Sequence, residues 1–172
     1  MTETAVVYIL DSSFFLSGIA FPRGELLTVP EVVEEVKATR KELLFAMAKG
    51  LRVLSPSKEA LRRVKEIART TGDDARISEA DARLLALSLE TGGIILTDDY
   101  SIQNTAESLG LSYRPVLQRG IARVEKWYYR CSYCGRYLSE FQSQCPVCGG
   151  PVKTTRRAPK ERKKEVGKRR GR

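Results

Sequence analysis

Two apolar runs in the sequence each end at a carboxylate. Residues 6–10 are a continuous apolar and β-branched run that stops at Asp11, and residues 94–97 are a second run, followed by Asp98 and Asp99. Runs without polar alternation are typical of strands buried on both faces, as in a parallel sheet. In such sheets ligands bind in the crevice outside the carboxyl ends of the strands. If the two strands are sheet neighbours, their terminal acids should converge.

Segments with helical periodicity alternate with these runs and with two shorter apolar ones. Pro30 suits a first helical turn, Ser57 and Ser78 suit N-caps, and Gly72 and Gly110 suit helix ends. A short helix is predicted to start at Ser12 and Ser13, directly after Asp11. Further helices are predicted over residues 28–38, 40–49, 58–70, 78–91 and 101–109, and short strands over residues 52–54 and 111–114. The alternation predicts an α/β fold with a mainly parallel sheet sandwiched by helices.

The C-terminal part of the chain departs from this pattern. Residues 118–126 have the composition of a linker. Residues 127–152 are rich in Cys, Gly and aromatic residues but too few for a conventional core. They therefore need a cross-link, such as a bound metal or disulfides, to be stable. Residues 153–172 contain almost nothing to bury, and we expect a basic, disordered tail. The predicted organisation is an α/β domain over residues 1–117, a linker, a small stapled domain and the tail.

Positive charge is concentrated behind the α/β domain. The whole sequence has 30 Lys and Arg against 21 Asp and Glu, a net charge of +9. Residues 1–110 hold 13 basic and 17 acidic residues, whereas residues 151–172 hold 11 and 2. A basic tail beside a balanced body is expected of a protein that binds a polyanion, because each cation that meets a phosphate releases counterions. A tail that only aids solubility is the alternative.

The chain contains no histidine. This excludes Ser-His-Asp triads, Cys-His dyads, imidazole acid–base chemistry and His-ligated zinc. No apolar run approaches the ~18 residues of a membrane span, and the first residues lack the pattern of a secretory signal. We expect a cytoplasmic protein without a membrane partner, whose chemistry uses carboxylates, thiolates, hydroxyls, Lys, Arg or a bound metal.

Four cysteines form two matched Cys-x-x-Cys-Gly motifs, Cys131 with Cys134 and Cys145 with Cys148. This spacing predicts a zinc ribbon, because two such turns deliver four thiolates to one tetrahedral ion. Two disulfides are the alternative, but a two-residue spacing suits metal ligation better. With all four positions filled by protein, the zinc should be structural. Rings that could form a small core or stack on bases surround the motifs: Trp127, Tyr128, Tyr129, Tyr133, Tyr137 and Phe141.

Acidic residues are the remaining candidates for chemistry. Besides Asp11, Asp98 and Asp99, helical geometry selects Glu35, which lies at the edge of the buried face of its helix. The same projection places Asp81 on an inward face, although Asp81 is also spaced to close a capping box. Carboxylates gathered in one crevice persist when a cation is bound, and hard oxygen ligands favour Mg²⁺ or Mn²⁺. Scattered surface acids without a function are the alternative.

These segments resemble a PIN domain, the fold of a family of metal-dependent ribonucleases. The resemblance rests on the order of four stretches, Asp11-Ser-Ser, TVPEVVEEV, SEADARLLALS and ILTDDYSIQN. Together with the CxxCG motifs, the resemblance covers residues 5–152. The chain resembles the archaeal branch of the Nob-one family, endonucleases that finish the 3′ end of small-subunit rRNA. It implies a parallel sheet covered by helices, one or two Mg²⁺ or Mn²⁺ ions, and single-stranded pre-rRNA as substrate.

The resemblance also assigns roles to particular residues. Asp11, Asp81 and Asp99 match three acidic positions of the family and are expected to hold Mg²⁺ or Mn²⁺. Glu35 matches the helix acid that completes the metal shell or orients the attacking water. Asp98 stands where the family commonly has a non-acidic residue, and it is a further candidate for the site.

Three functions follow as hypotheses. The first is a metal-dependent endoribonuclease that matures the 3′ end of small-subunit rRNA. In it Ser12 and Thr97 hydrogen-bond the scissile phosphate, while the ribbon and the tail dock on pre-rRNA in the small-subunit precursor. The second is a non-catalytic ribosome-assembly factor that binds RNA through the ribbon and the tail. The third is a DNA nuclease on a related fold.

Overall fold

The structure is a computed structural model that describes residues 5–117, 120 and 126–159, with the backbone alone for residues 38–40. It divides into two compact units, Met1–Lys126 and Trp127–Arg172. Most of the predicted linker, and residues 160–172 of the predicted tail, lie outside the described residues. Each unit is described by itself below.

The first unit contains a five-stranded sheet in which every pair of neighbouring strands is parallel. Its strands are β1 (Val7–Leu10), β2 (Glu25–Thr28), β3 (Arg52–Val53), β4 (Ile94–Leu96) and β5 (Tyr113–Arg114), in the spatial order β3-β2-β1-β4-β5. The prediction of a mainly parallel sheet is confirmed. Leu10 of β1 pairs with Leu96 of β4, so the two strands end side by side. The residues that follow them, Asp11 and Thr97, therefore emerge at the same edge of the sheet.

Six helices in the described part of this unit follow the predicted pattern. They are α1 (Ser12–Leu16), α2 (Pro30–Glu35), α3 (Arg40–Ala48), α4 (Lys58–Thr71), α5 (Glu79–Thr91) and α6 (Tyr100–Leu109). A 3₁₀ turn, Val36–Thr39, joins α2 to α3. Ser57 caps α4 by accepting a hydrogen bond from the Ala60 N–H, as the sequence predicted.

The core lies between the sheet and the helices. Ile9 and Ile95 of the central strands are fully buried, and so are Leu84 and Leu85 of α5 and Val64 of α4. Because α5 carries seven buried residues, it is the helix that lies deepest against the sheet. Its first turn contains Asp81, so packing of the apolar part of α5 also determines where that carboxylate lies.

The sequence prediction missed β2. Residues 25–28 read Glu-Leu-Leu-Thr, a stretch too short to show a strand period, and we assigned its last residue to the following helix. The structure places this stretch beside β1, with Tyr8 paired to Leu26, and α2 starts only at Pro30. Two parallel neighbours, β2 and β4, therefore bury both sides of β1.

The second unit is a three-stranded antiparallel ribbon. Its strands are β6 (Tyr128–Cys131), β7 (Tyr137–Leu138) and β8 (Val152–Thr155), in the order β7-β6-β8. The predicted boundary between ribbon and tail is wrong by three residues, because Thr155 pairs with Tyr128 at the end of β8. The polar sequence of β8 gave no sign of a strand, because this strand is stabilised by backbone pairing to β6.

None of the helices within the described residues is both long and apolar enough to cross a membrane.

Candidate active site and metal centre

Asp11 is held rigidly at the carboxyl end of β1. It is the N-cap of α1, and one of its oxygens, Oδ1, accepts a hydrogen bond from the Ser12 N–H at 2.6 Å. The other, Oδ2, accepts from the hydroxyls of Ser13 at 2.8 Å and Thr97 at 2.7 Å. The side chain is almost fully buried, and its oxygens are oriented by donors from two strand ends. Such donors stabilise the charged carboxylate in a buried position.

Thr97 connects two of the predicted acids. Its hydroxyl donates to Asp11 and accepts from the N–H of Asp99 at 3.0 Å. Asp99 in turn caps α6, where its Oδ1 accepts from the Ser101 N–H at 2.6 Å, and the residue is exposed. The prediction that Thr97 contacts the scissile phosphate is therefore not supported. Thr97 is fully buried and its hydroxyl is used within the protein.

Asp81 has both of the roles that the sequence allowed. It closes the capping box of α5, since its Oδ2 accepts from the Ser78 N–H at 2.6 Å while its own N–H donates to the Ser78 hydroxyl. Burial raises the pKa of the Asp81 carboxyl, and the negative charges of Asp99 and Asp11 raise it further, against the hydrogen bonds from Ser78. Asp81 therefore shares an electrostatic environment with the acids at the strand ends.

Glu35, the last residue of α2, completes this group. Burial raises the pKa of its carboxyl, a hydrogen bond with Ser12 lowers it, and the charges of Asp81 and Asp11 raise it again. The side chain is largely exposed, so Glu35 lies at the solvent side of the group. The structure thus brings four predicted acids, Asp11, Glu35, Asp81 and Asp99, from four separate segments into electrostatic range of one another.

Asp98 has a structural role, which differs from the role in the metal site that was proposed for it. Its Oδ1 accepts hydrogen bonds from the backbone N–H groups of Val116 at 2.9 Å and Leu117 at 3.1 Å, and its Oδ2 accepts from the Leu117 N–H at 3.0 Å. Both oxygens therefore anchor the segment after β5. Hydrogen bonds also reach both oxygens of Asp11, so these bonds do not exclude Asp98, and its part in the metal site stays a prediction.

The spacing of the acids favours one kind of cation. Among the described residues, the cysteines form a compact cluster of possible metal ligands, with all four sulfurs within 4.8 Å of one another, and the acids form no such cluster. Mg²⁺ and Mn²⁺ take hard oxygen ligands, and Mg²⁺ usually binds one or two carboxylates while it keeps several waters. Burial and the charge of Asp11 raise the pKa values of Asp81 and Glu35, and an open group of acids of this kind suits such a hydrated divalent ion better than a closed cage.

The sequence analysis missed one member of this site, Ser13. We assigned it only to a helix start, yet its hydroxyl donates to Asp11 and accepts from the Asp98 N–H at 3.1 Å. The signal was present in the Asp-Ser-Ser stretch, since a hydroxyl two residues after a strand-end acid can reach back to it. Ser13 and Thr97 together join the ends of β1 and β4.

The four cysteines of the ribbon form a compact group. All are free thiols, with Sγ–Sγ distances of 3.5 Å between Cys131 and Cys148 and 3.8 Å between Cys134 and Cys145. A disulfide has sulfurs about 2 Å apart, so these pairs are not bonded. Zinc–thiolate bonds of about 2.3 Å in a tetrahedron place sulfurs roughly 3.8 Å apart, which the observed distances match.

Backbone N–H groups of the two turns prepare these sulfurs for metal binding. The Val147 N–H is the chief cause of the lowered pKa of Cys145. Burial raises the pKa of Cys131, but the N–H groups of Cys134 and Tyr133 lower it to about 6. The Arg136 N–H likewise lowers the pKa of Cys134, but hydrogen bonds with the other sulfurs, together with burial, raise it to about 11. Since the thiolate is the form that ligates metal, the backbone N–H groups favour metal binding, whereas the crowding of the sulfurs opposes ionisation until a cation is bound.

The ribbon sheet has one buried and one outer face. Tyr129 and Cys131 of β6 point into the small core, where the Tyr129 ring contacts Phe141 at 5.7 Å between centroids. The alternate residues Tyr128 and Arg130 face outward. On that face Arg130 lies over the Tyr137 ring at 5.9 Å, and Tyr137 meets Tyr128 edge to face.

The comparisons with known proteins agree with this geometry. The family described as "PIN domain of ribonuclease" matches residues 8–91. The chain is 45% identical over 150 residues to "Endoribonuclease Nob1" of Pyrococcus abyssi, which covers 84% of this chain and 91% of that protein. It is 39% identical over 148 residues to the protein of the same name from Archaeoglobus fulgidus, covering 83% of this chain and 87% of that one.

A third relative carries another name within the same family. "Ribonuclease VapC1" of Thermoplasma acidophilum is 35% identical over 153 residues, covering 86% of this chain and 77% of that protein. The PIN match spans most of β1 and all of α2 and α5, and it includes Asp11, Glu35 and Asp81. The Nob1 relatives, by their coverage, extend over both units of the chain. The chain therefore belongs to the PIN-domain ribonuclease family, as a member of its Nob1 branch.

Proposed function

We propose that the chain is a metal-dependent endoribonuclease that cleaves single-stranded pre-rRNA and matures the 3′ end of small-subunit rRNA. One observation carries the proposal: Asp11, Glu35, Asp81 and Asp99 come from four separate segments, with Asp11 at the carboxyl edge of a parallel sheet. Besides burial, the charges of Asp99 and Asp11 raise the pKa of Asp81, and those of Asp81 and Asp11 raise the pKa of Glu35. A fold gains no stability from gathering like charges, so the group is best explained by a cation and a phosphate. The names of the Nob1 relatives support an RNA substrate.

Asp11, Asp81 and Asp99 are the residues that would hold Mg²⁺ or Mn²⁺. When bound, such an ion acts as a Lewis acid toward a phosphate oxygen and lowers the pKa of a water. Asp11 keeps one geometry because Ser12, Ser13 and Thr97 hold it. Asp81 keeps one geometry because one of its oxygens remains on the Ser78 N–H. These acids therefore place substrate without having to reorganise during the reaction.

Glu35 is the residue best suited to take a proton from the attacking water. It lies at the solvent side of the group, and its pKa is raised by burial and by Asp81 and Asp11. A general base works best when its pKa approaches the working pH, so this shift is in the useful direction. Ser12 contacts both Asp11 and Glu35 and orients the two carboxylates relative to each other.

The ribbon serves as a zinc-stapled docking module in this proposal. The sulfur spacing and the exclusion of an open ligand position fit structural zinc. Rings with adjacent cations, such as Arg130 over Tyr137 and Arg156 over Trp127 at 4.8 Å, suit base stacking beside phosphate contacts. Pre-rRNA in the small-subunit precursor is the partner that we propose for this face and for the basic tail, in the cytoplasm.

A cleavage assay with mapped ends tests the proposal. Purified protein with Mn²⁺ should cut a pre-rRNA fragment at the mature 3′ end of the small-subunit rRNA, and an excess of a matched DNA strand should not compete. Asp11→Asn and Asp99→Asn should each lower the rate by about 10²- to 10³-fold, because each removes a charged ligand.

The matched control uses two adjacent glutamates. Glu35→Gln should slow cleavage, whereas Glu34→Gln should not, since Glu34 is exposed and forms an ion pair with Lys37 on the surface. Equal rates for wild type, Asp11→Asn and Asp99→Asn would contradict catalysis and leave a non-catalytic RNA-binding assembly factor. Equal competition by DNA would point to a nuclease without RNA preference.

A further inference from the structure

The loop between α4 and α5 contains a buried acid that the proposed reaction does not use. Asp73 is 0% exposed, although it lies in the polar loop sequence Thr-Gly-Asp-Asp. Burial raises the pKa of its carboxyl, and hydrogen bonds from Asn104 and Thr71 oppose that rise. Its Oδ1 is buried without a hydrogen-bond partner among the described residues. A buried carboxylate with an unpaired oxygen destabilises a fold, so its presence calls for a role beyond stability.

Asp73 shapes the chain that leads into the first turn of α5. Its backbone carbonyl accepts hydrogen bonds from the N–H groups of Arg76 at 2.7 Å and Ile77 at 3.0 Å. The next residue is Ser78, the N-cap of α5, whose N–H is bonded to Asp81. A shift of the Asp73 turn therefore moves the start of α5, and Asp81 with it.

The side chain of Asp73 joins this turn to α6. Its Oδ2 accepts from the Asn104 side-chain amide at 2.5 Å and from the Thr71 hydroxyl at 2.8 Å. Asn104 is buried on α6, the helix whose N-cap is Asp99. The bond between Asp73 and Asn104 therefore connects the loop that delivers Asp81 to the helix that begins at Asp99.

The neighbouring residue on α6 fixes the other side of the site. Gln103 is fully buried, and its amide donates to the backbone carbonyl of Thr97 at 3.0 Å. Thr97 is the residue whose hydroxyl touches Asp11 and the Asp99 N–H. Two adjacent side-chain amides of α6 thus hold two segments of the site. Gln103 holds the end of β4, and Asn104 holds the loop before α5.

We propose that Asp73 and Asn104 are positioning residues that set the separation of Asp81 from Asp99 and Asp11, and thereby the affinity of the site for a divalent cation. This inference rests on the proposed function and extends it to a buried link on the far side of α6. Breaking the link should leave the carboxylates chemically intact but let the start of α5 shift. The expected result is weaker Mn²⁺ binding, with a smaller change of the maximal rate.

Asn104→Ala tests the link, because it removes the amide and leaves Asp73 bonded to Thr71. Residues that orient metal ligands typically contribute 10- to 100-fold to metal affinity or activity. We expect the Mn²⁺ concentration for half-maximal cleavage to rise about tenfold, with a matching loss of Mn²⁺ affinity by calorimetry. The rate at saturating Mn²⁺ should stay within about threefold, since the ligands themselves are unchanged.

Ser88→Ala is the matched control. Its hydroxyl is also buried, on α5, and donates to the Gly93 carbonyl at 2.7 Å, away from the acids. Both variants should lower Tm, but Ser88→Ala should leave the Mn²⁺ dependence unchanged. The swap Asp73→Asn with Asn104→Asp, which restores an amide–carboxylate pair, should recover Mn²⁺ affinity relative to Asn104→Asp alone.

The outcomes separate the two proposals. If Asn104→Ala lowers Tm but keeps wild-type Mn²⁺ affinity, Asp73 and Asn104 are merely structural and the positioning proposal is overturned, while the nuclease proposal stands. If wild type binds no Mn²⁺ by calorimetry and Asp11→Asn does not alter cleavage, the proposed function fails, and the positioning role fails with it.

Discussion

The two candidate metal sites differ in how they deal with the repulsion between their ligands. In the ribbon, all four sulfurs lie within 4.8 Å of one another and backbone N–H groups stabilise them. In the PIN unit, the acids are spaced more widely, and hydroxyls and helix starts hold each one separately. A closed set of ligands suits a metal that staples a fold, whereas a spaced set leaves room for water and a substrate phosphate. Spacing alone thus separates a structural site from a catalytic one.

Metal removal from the ribbon should have the largest effect. Among the described residues its core has four buried apolar side chains, so we expect the bound metal to supply most of its stability. Structural zinc contributes about 10–16 kcal/mol in small fingers. Cys145→Ser or a chelator should unfold residues 127–155 and leave the PIN unit folded. Trp127, the only tryptophan, reports this through its fluorescence. Ser139→Ala, at an exposed ribbon residue, is the control. Unchanged fluorescence after chelation would show that the ribbon needs no metal.

Thr97→Val should damage the acidic site without removing an acid. The change keeps the shape of the side chain but removes the donor to Asp11 and the acceptor for the Asp99 N–H. We expect kcat/KM to fall about 10- to 100-fold. Thr28→Val is the control, since Thr28 is equally buried but its hydroxyl donates to the Leu10 carbonyl. The same loss of activity in both variants would indicate a general packing defect.

Truncation after Pro159 should weaken RNA binding but leave the cleavage rate at saturating RNA unchanged. A cut at residue 153 would remove β8, so the informative deletion is residues 160–172. Loss of these Lys and Arg residues should weaken RNA binding about tenfold and flatten its salt dependence, because fewer counterions are released. Filter binding across a salt series measures this, and cleavage at saturating RNA should persist. An unchanged salt slope would show that the tail does not contact RNA.

Asp81→Asn should produce the smallest effect, and with the opposite sign on stability. The folded state raises the pKa of Asp81, so it binds that proton more tightly than the unfolded chain does, and stability falls as pH rises through the raised pKa. Asparagine removes the repulsion and can still accept from the Ser78 N–H. Without Mg²⁺ or Mn²⁺, Tm at neutral pH should rise by about 2–4 °C.

The gain from Asp81→Asn should shrink as the pH falls through the raised pKa of the wild-type carboxyl, and it should be lost by about pH 3, below the ordinary pKa of Asp. Differential scanning calorimetry at the two pH values makes this comparison, and cleavage should be lost in the same variant. A lower Tm for Asp81→Asn at neutral pH would mean that the capping role of the carboxylate outweighs its repulsion from Asp99 and Asp11.

The sequence predicted the parts of the site that lie at the ends of regular elements. Asp11 and the pair Asp98 and Asp99 follow apolar strands, and Glu35 and Asp81 project from amphipathic helices, so strand ends and helix periods selected these acids. The choice of Asp99 over Asp98 came from the family resemblance. The family resemblance was confirmed by the PIN match and by the Nob1 relatives. The cysteine spacing was equally direct, because two residues between ligands define each turn.

The parts that the sequence did not reveal depend on long-range packing. In the sequence, Asp73 has the pattern of an exposed loop acid and Asn104 that of a surface amide. In the fold both are buried and hydrogen-bonded to each other. The task of Asp98 depends on where Val116 and Leu117 lie, and no local pattern indicates that. Strand β8 forms from polar residues because β6 supplies its hydrogen bonds.

The anchoring of Val116 and Leu117 by Asp98 has a mechanical consequence. Val116 and Leu117 follow β5, and Asp98 is the covalent neighbour of Asp99. A pull on the segment after β5 would load the hydrogen bonds to Asp98 before it could separate β5 from β4. Because Asp98 is joined directly to the candidate metal ligand Asp99, a displacement of that segment would also move Asp99.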